Sequence, residues 1–167
     1  MATCADLRQE IESVRLDYHR LLDEIPESAY LLPSANPAWT VGQVLFHMSL
    51  AARLLPGDVG IIKSRVGWLQ LIPRLVPRQI FHWLNERHAR IGGRKASRES
   101  LKKTYDQAHR GALQALESLS DADLTLVMEY PGWDPLLSGQ VTLETLFRYL
   151  RLHFESHAGQ VRQAIEA

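Results

Sequence analysis

From Leu143 to Ala164 the inward positions of one helix recur in steps of three and four. Leu143, Leu146, Leu150, His153, His157, Val161 and Ala164 make the stripe, and a stripe of this period must be buried against other helices. Two of its seven members are imidazoles. Three further segments carry the same period. Leu7, Ile11, Val14, Tyr18, Leu21 and Ile25 define a helix from about Cys4 to Glu24. A second opens at Thr40, where Thr40 and Gln43 fit a capping box and Trp39 can staple onto Val44. Its inward residues are Val44, His47, Met48, Ala51 and Leu55, and the PGD at Pro56 is expected to end it. The third runs from about Arg98 to Ser118 behind a Ser97 cap, with Leu101, Tyr105, Ala108, Ala112, Ala115 and Leu119 inward.

No segment reads as a strand, and no internal repeat is visible. The expected fold is therefore all-α, a four-helix bundle forming one domain over residues 1–167. The connection from Pro56 to Ala96 is too long for a turn between antiparallel neighbours. It suits a crossover along the bundle, which makes helices two and three parallel and the order up, down, down, up. A short helix from about Arg78 to Arg90 is expected within it, after Pro77.

The chain carries 19 Lys and Arg against 19 Asp and Glu, a formal charge of zero. That balance argues against a general nucleic-acid binder. A single cysteine, Cys4, excludes an internal disulfide and suits a reducing compartment. The opening MATCADLRQE has no apolar signal core. No stretch offers the roughly 20 uninterrupted apolar residues of a membrane span. The expected location is the cytoplasm.

Seven histidines are present. His153 and His157 stand four apart, so their rings lie side by side on one helix face, and that spacing lets two imidazoles share one metal ion. As packing alone the pair is hard to justify, because buried polar groups need partners. The order is HFESH rather than HExxH. Glu155 lies about 200° around the helix from His153 and should face water or another chain, so it is not cast as a base. A third ligand should come from another helix, and His47 is the only other histidine on an inward stripe. Antiparallel packing of helices two and four can bring the three to one level. His19 reads as half-buried and hydrogen-bonded. His82 and His88 do not share a face, and His109, beside Arg110, is expected to be exposed.

Two motifs and their order resemble the DinB/YfiT-like superfamily. One is PAWTVGQVLFHM, Pro37 to Met48; the other is HFESHAGQVRQA, His153 to Ala164. The resemblance implies an up-down-down-up bundle, a homodimer, and a divalent metal held by three histidines. The matching positions are His47, His153 and His157. Relatives include transferases and isomerases that use low-molecular-weight thiols, others described as metal-dependent hydrolases, and some without known activity.

Three imidazoles leave coordination positions open for water or substrate. Imidazole suits zinc, nickel, iron or copper, with zinc or nickel foremost here. Such an ion lowers the pKa of a thiol or water that it binds. The preferred reading is transfer of a small thiol to an electrophile. Hydrolysis of an ester or amide is the enzymatic alternative, and a non-catalytic, stress-related metal-binding protein the other. No inward carboxylate is evident, so the acid or base is unassigned. Cys4, near a terminus, is not expected to be the nucleophile. Lys63, Arg65, Arg74, Arg78, Arg87, Arg90, Arg94, Lys95 and Arg98 crowd the crossover with Trp68, Phe81 and Trp83. They read either as a solvated surface over packed rings or as a basic rim for an anionic ligand; contact with a membrane surface is a further option. Trp133 reads as a packing anchor or a pocket wall.

Overall fold

The structure is a computed structural model that describes residues 2–64, 75–134 and 136–166. Helix α1 spans Cys4–Glu24. Thr3 caps it: its hydroxyl accepts from the Asp6 N–H at 3.1 Å, and the Asp6 carboxylate accepts from the Thr3 N–H at 2.8 Å. All five stripe residues from Leu7 to Leu21 are buried. A 3-10 turn, Glu27–Leu31, leads towards α2, Val41–His47. The Thr40–Gln43 capping box closes at 3.4 and 3.0 Å.

The end of the second helix differs from expectation. Helix α2 stops at His47, and α3 then runs Leu50–Lys63 straight through PGD, with Pro56 in its interior. Proline there forfeits one backbone hydrogen bond, and an interior proline costs ~3 kcal/mol. Two more turns of α3, however, bury Val59 and Ile62 below Ala52 and Leu55, and each such side chain contributes about 1.5–3 kcal/mol. Burial outweighs the proline, so the crossover begins after Lys63 rather than at Pro56. Arg65, Trp68 and Arg74 lie outside the described residues. Helix α4, Arg78–Gly92, follows Pro77, and α5, Arg98–Glu117, starts behind the Ser97 cap.

The all-α expectation also needs correction. Strands β1, Val127–Asp134, and β2, Leu137–Thr142, form an antiparallel hairpin between α5 and α6, Leu143–Glu166. Val127 pairs with Thr142 and Tyr130 with Gly139, and the register shifts before Asp134. Met128, Leu137 and Val141 turn inward while their neighbours face out, the period of a half-buried strand. Pro131, Gly132 and Gly139 hide that period in the sequence. Gly139, at φ 74°, takes a conformation that side chains disfavour. The protein is mostly helical with this small two-stranded sheet.

Ion pairs record how the helices run. His109 meets Glu12 at 3.3 Å, His19 meets Asp106 at 2.9 Å and Lys102 meets Asp23 at 2.8 Å. The order descends along α5 as it ascends α1, so the two are antiparallel. Arg148–Glu10, Arg151–Asp17 and Arg162–Glu24 ascend together, so α1 and α6 are parallel. Between α3 and α5, Pro56 faces Gly111 and Lys63 donates to the Ser118 carbonyl at 2.8 Å, again in ascending order.

The core has two parts. Tyr18, Leu45 and Phe154 belong to one, which adjoins His47; Ile11, Leu116 and Phe147 belong to the other. Tyr18 stacks on Tyr105 with ring centres 4.0 Å apart and donates its hydroxyl to the Leu45 carbonyl at 3.0 Å. The run Val41–Lys63 is long and apolar enough to cross a membrane by length and composition, but here its Val41, Val44, Leu45, Leu55 and Val59 fill the bundle.

Candidate metal centre

His47 is the last residue of α2, and His153 and His157 sit one turn apart on α6. Antiparallel approach of the two segments brings all three rings together. Ring centres are 5.0 Å apart for His47 and His153, 4.7 Å for His47 and His157, and 4.5 Å for His153 and His157. One ring nitrogen from each lies within 4.8 Å of the others, a group able to hold a metal ion. His47 and His153 are buried and His157 half-buried.

Two nitrogens face each other directly: His153 Nε2 and His47 Nε2 are 3.3 Å apart. Ligands at ~2.1 Å from a common tetrahedral ion are spaced by roughly 3.4 Å, so this pair already has the bite of a shared cation. The outward nitrogens of His157 and His47 differ. His157 Nδ1 donates to Gln160 Oε1 at 3.1 Å, which leaves the other nitrogen of that ring with a free lone pair. His47 Nδ1 is buried without a hydrogen bond, as is Asn85 Oδ1. Asn85, from α4, interacts with His47 in the direction that favours its protonation, but the two do not complete a bond. Trp39 closes the other flank, its ring 4.7 Å from that of His47.

Burial sets the charge state. His47 is pushed down to about 3, first by burial and then by the neighbouring His157 and His88. His153 lies well below its ordinary value for the same first reason, with His157 and His47 adding to it. His157 is also lowered, chiefly by burial, although its bond to Gln160 opposes the shift. Three neutral imidazoles at neutral pH are the metal-binding form. The donor set and the converging nitrogens together fit a divalent ion.

Two of the three, His47 and His153, line a cleft beside the group. Its apolar side includes Leu54, Leu137 and Leu146. Phe81 of α4 stacks on Trp133 of β1 at 4.5 Å, and Trp133 donates to the Val76 carbonyl at 3.2 Å. Trp133 is thus both anchor and pocket wall.

The expected absence of an inward carboxylate is wrong. Asp58 and Asp134 line the same cleft as His47 and His153. Asp58 escapes notice because PGD reads as a helix stop, and Asp134 because it sits in a turn cluster. Tyr149 donates to Asp134 Oδ2 at 2.6 Å and sets its ring 5.5 Å from that of His153. Asp58 shares the cleft with the Tyr130 hydroxyl, which acts to lower its pKa. Burial pushes Asp58 up to about 7, against the pull of that hydroxyl.

The other histidines are not among the converging three, although His88 is near enough to act on the charge of His47. His19 is half-buried on Asp106, and Arg78 donates to His82 at 3.0 Å. His88 lies 3.2 Å from an Arg53 nitrogen. His109 is buried rather than exposed: its position on α5 turns it to α1, onto Glu12. Glu155 is exposed beside Arg151. Cys4 has its thiol raised, chiefly by burial and then by Asp121, which does not favour a nucleophile. Crossover cations make local contacts: Arg90 pairs with Glu86 at 2.6 Å, Arg87 lies over Trp83, and Arg98 donates to the Leu22 and Ile25 carbonyls.

A helical bundle whose facing helices bury three convergent histidines beside a cleft defines the class of protein. The sequence model of the DinB superfamily matches residues 10–161, and the chain belongs to that superfamily. No curated protein matches it.

Proposed function

We propose that this protein is a metal-dependent enzyme that transfers a low-molecular-weight thiol to an electrophilic substrate. His47, His153 and His157 hold one divalent ion, zinc or nickel foremost. The observation that carries the reading is the convergence of three neutral imidazoles, His47 and His153 buried and His157 half-buried, beside a cleft that His47 and His153 line. The ion would lower the pKa of a bound thiol, making sulfur nucleophilic at neutral pH. Gln160 holds the His157 ring by its outward nitrogen, and Asn85 is placed to do the same for His47. Leu54, Leu137 and Leu146 exclude water from the reacting groups, and the stacked Phe81 and Trp133 form the wall against which an apolar co-substrate can lie.

The ascending and descending ion pairs support an up-down-down-up order. We extend the proposal to a homodimer, on the analogy of the superfamily. Exposed Ile80, Trp83, Leu84 and Ile91 on α4 offer an apolar surface to a second copy.

Cobalt substitution tests the reaction class. Addition of small cellular thiols should produce a sulfur-to-metal charge-transfer band. No band with any thiol, together with metal-dependent cleavage of an ester or amide, would replace thiol transfer with hydrolysis.

A further inference from the structure

The carboxylate that the sequence hides lies where a thiol-transfer site needs a proton acceptor. Asp58 sits in the interior of α3, two residues past Pro56, on the turn that faces the hairpin. It is half-buried, and the Tyr130 hydroxyl of β1 acts on it from the other side of the cleft. It lines one cleft with His47 of α2 and His153 of α6. Among the described residues, the other titratable groups facing this space, besides the histidines, are Tyr130 and Asp134 of β1 and Tyr149 of α6. They differ in availability. Asp134 is held by the Tyr149 hydroxyl at 2.6 Å. Burial drives both phenols above their ordinary values, with Asp134 beside Tyr149 and Asp58 beside Tyr130 adding to the rise, so neither is a base at neutral pH. No Lys or Arg among the described residues lines the cleft.

We propose that Asp58 is the proton-transferring catalytic residue of this cleft. This rests on the thiol-transfer reading above. As the thiol enters, Asp58 takes the S–H proton, and the electron pair stays on sulfur. Sulfur then forms its bond to the electrophilic carbon. Asp58 returns the proton to the atom that has received the displaced electron pair. Protons and electrons balance without an oxidant or any further reactant. The elevated affinity of Asp58 for a proton, close to neutrality, suits both halves of the cycle. Tyr130 tunes it from the other side, since its hydroxyl favours the ionised carboxylate.

Proton counting tests the assignment without reference to turnover. Zinc-loaded protein is titrated with 2-mercaptoethanol at pH 7.5 in buffers of different ionisation enthalpy. Wild type should release well under one proton per thiol bound, because the negative charge brought in on sulfur raises the proton affinity of nearby Asp58, which then keeps the proton at this pH. Asp58→Asn should bind zinc as tightly and release close to one. Equal release from both proteins overturns the proposal. So does loss of zinc from Asp58→Asn, which would make Asp58 a ligand. Wild type alone gives a second measurement, needed if the variant does not fold. With ¹³C-labelled aspartate, thiol binding should bring up the infrared C=O stretch of a protonated carboxyl, and no such band overturns the proposal. Failure of the thiol to bind wild type at all overturns the thiol-transfer reading with it, an outcome distinct from binding with equal proton release.

Discussion

Gly93 fixes the distance between α4 and the short helix that carries His47. It caps α4 with φ −84° and ψ −4°, donating its N–H to the Ala89 carbonyl. Any L residue can take that conformation. A Gly93→Ala change in open space should therefore stabilise the protein by ~0.4–1 kcal/mol, through the unfolded chain alone. The space is not open. A Cβ at Gly93 would lie 2.5 Å from Gln43 Cα, 2.9 Å from Gln43 Cγ and 3.0 Å from the Ala89 oxygen. Gln43 Cα is backbone within α2, so relief requires a shift between α2 and α4 of about 1 Å. Overpacking of this kind costs about 1–3 kcal/mol. Set against the entropic gain, the net expectation is a loss of about 1–2 kcal/mol, which for this length lowers Tm by roughly 2–8 °C. Urea and thermal unfolding, followed by circular dichroism, measure it. An unchanged or raised midpoint would refute the tight α2–α4 contact, and with it the placement of Asn85 against His47.

Two further outcomes follow from the site and its supports. Gln160→Leu keeps the side-chain volume but removes the acceptor from His157 Nδ1, and should weaken metal affinity about 10–100-fold, read by competition with a chromogenic chelator. Asp17 has its carboxyl held below the ordinary range: burial opposes this, but Arg151 and then Arg20 prevail. A depressed folded pKa stabilises above the unfolded value, about 3.9, and that stability is lost as pH falls through the folded one. Urea midpoints of wild type should therefore fall more steeply below about pH 4 than those of Asp17→Asn.

Much of this arrangement is legible in the sequence because helix burial follows a fixed period. The α1 stripe is buried at every expected position, and His153 and His157 declare themselves by interrupting an apolar one. His47 follows by elimination. What escapes is decided by tertiary contact. Pro56 reads as a stop, yet Val59 and Ile62 bury enough surface beyond it to carry α3 two turns further. The hairpin is masked because Pro131, Gly132 and Gly139 break its alternation. Asp58 and Asp134 lie in those two misread places, so the carboxylate side of the cleft is invisible until the folds of PGD and PGWD are seen. Gln160 is inside the quoted motif, but its service to His157 is a matter of distance, not of pattern.

The central claim is that one divalent ion is held by His47, His153 and His157 together. Protein prepared without chelators or affinity tags should be loaded with zinc, dialysed, and analysed for metal per chain alongside His47→Ala, His153→Ala and His157→Ala variants shown to be folded by circular dichroism. The account predicts close to one zinc per chain for wild type and a large loss of retained zinc in each variant. Full retention by a folded His47→Ala protein would contradict it, because the third ligand would then lie elsewhere.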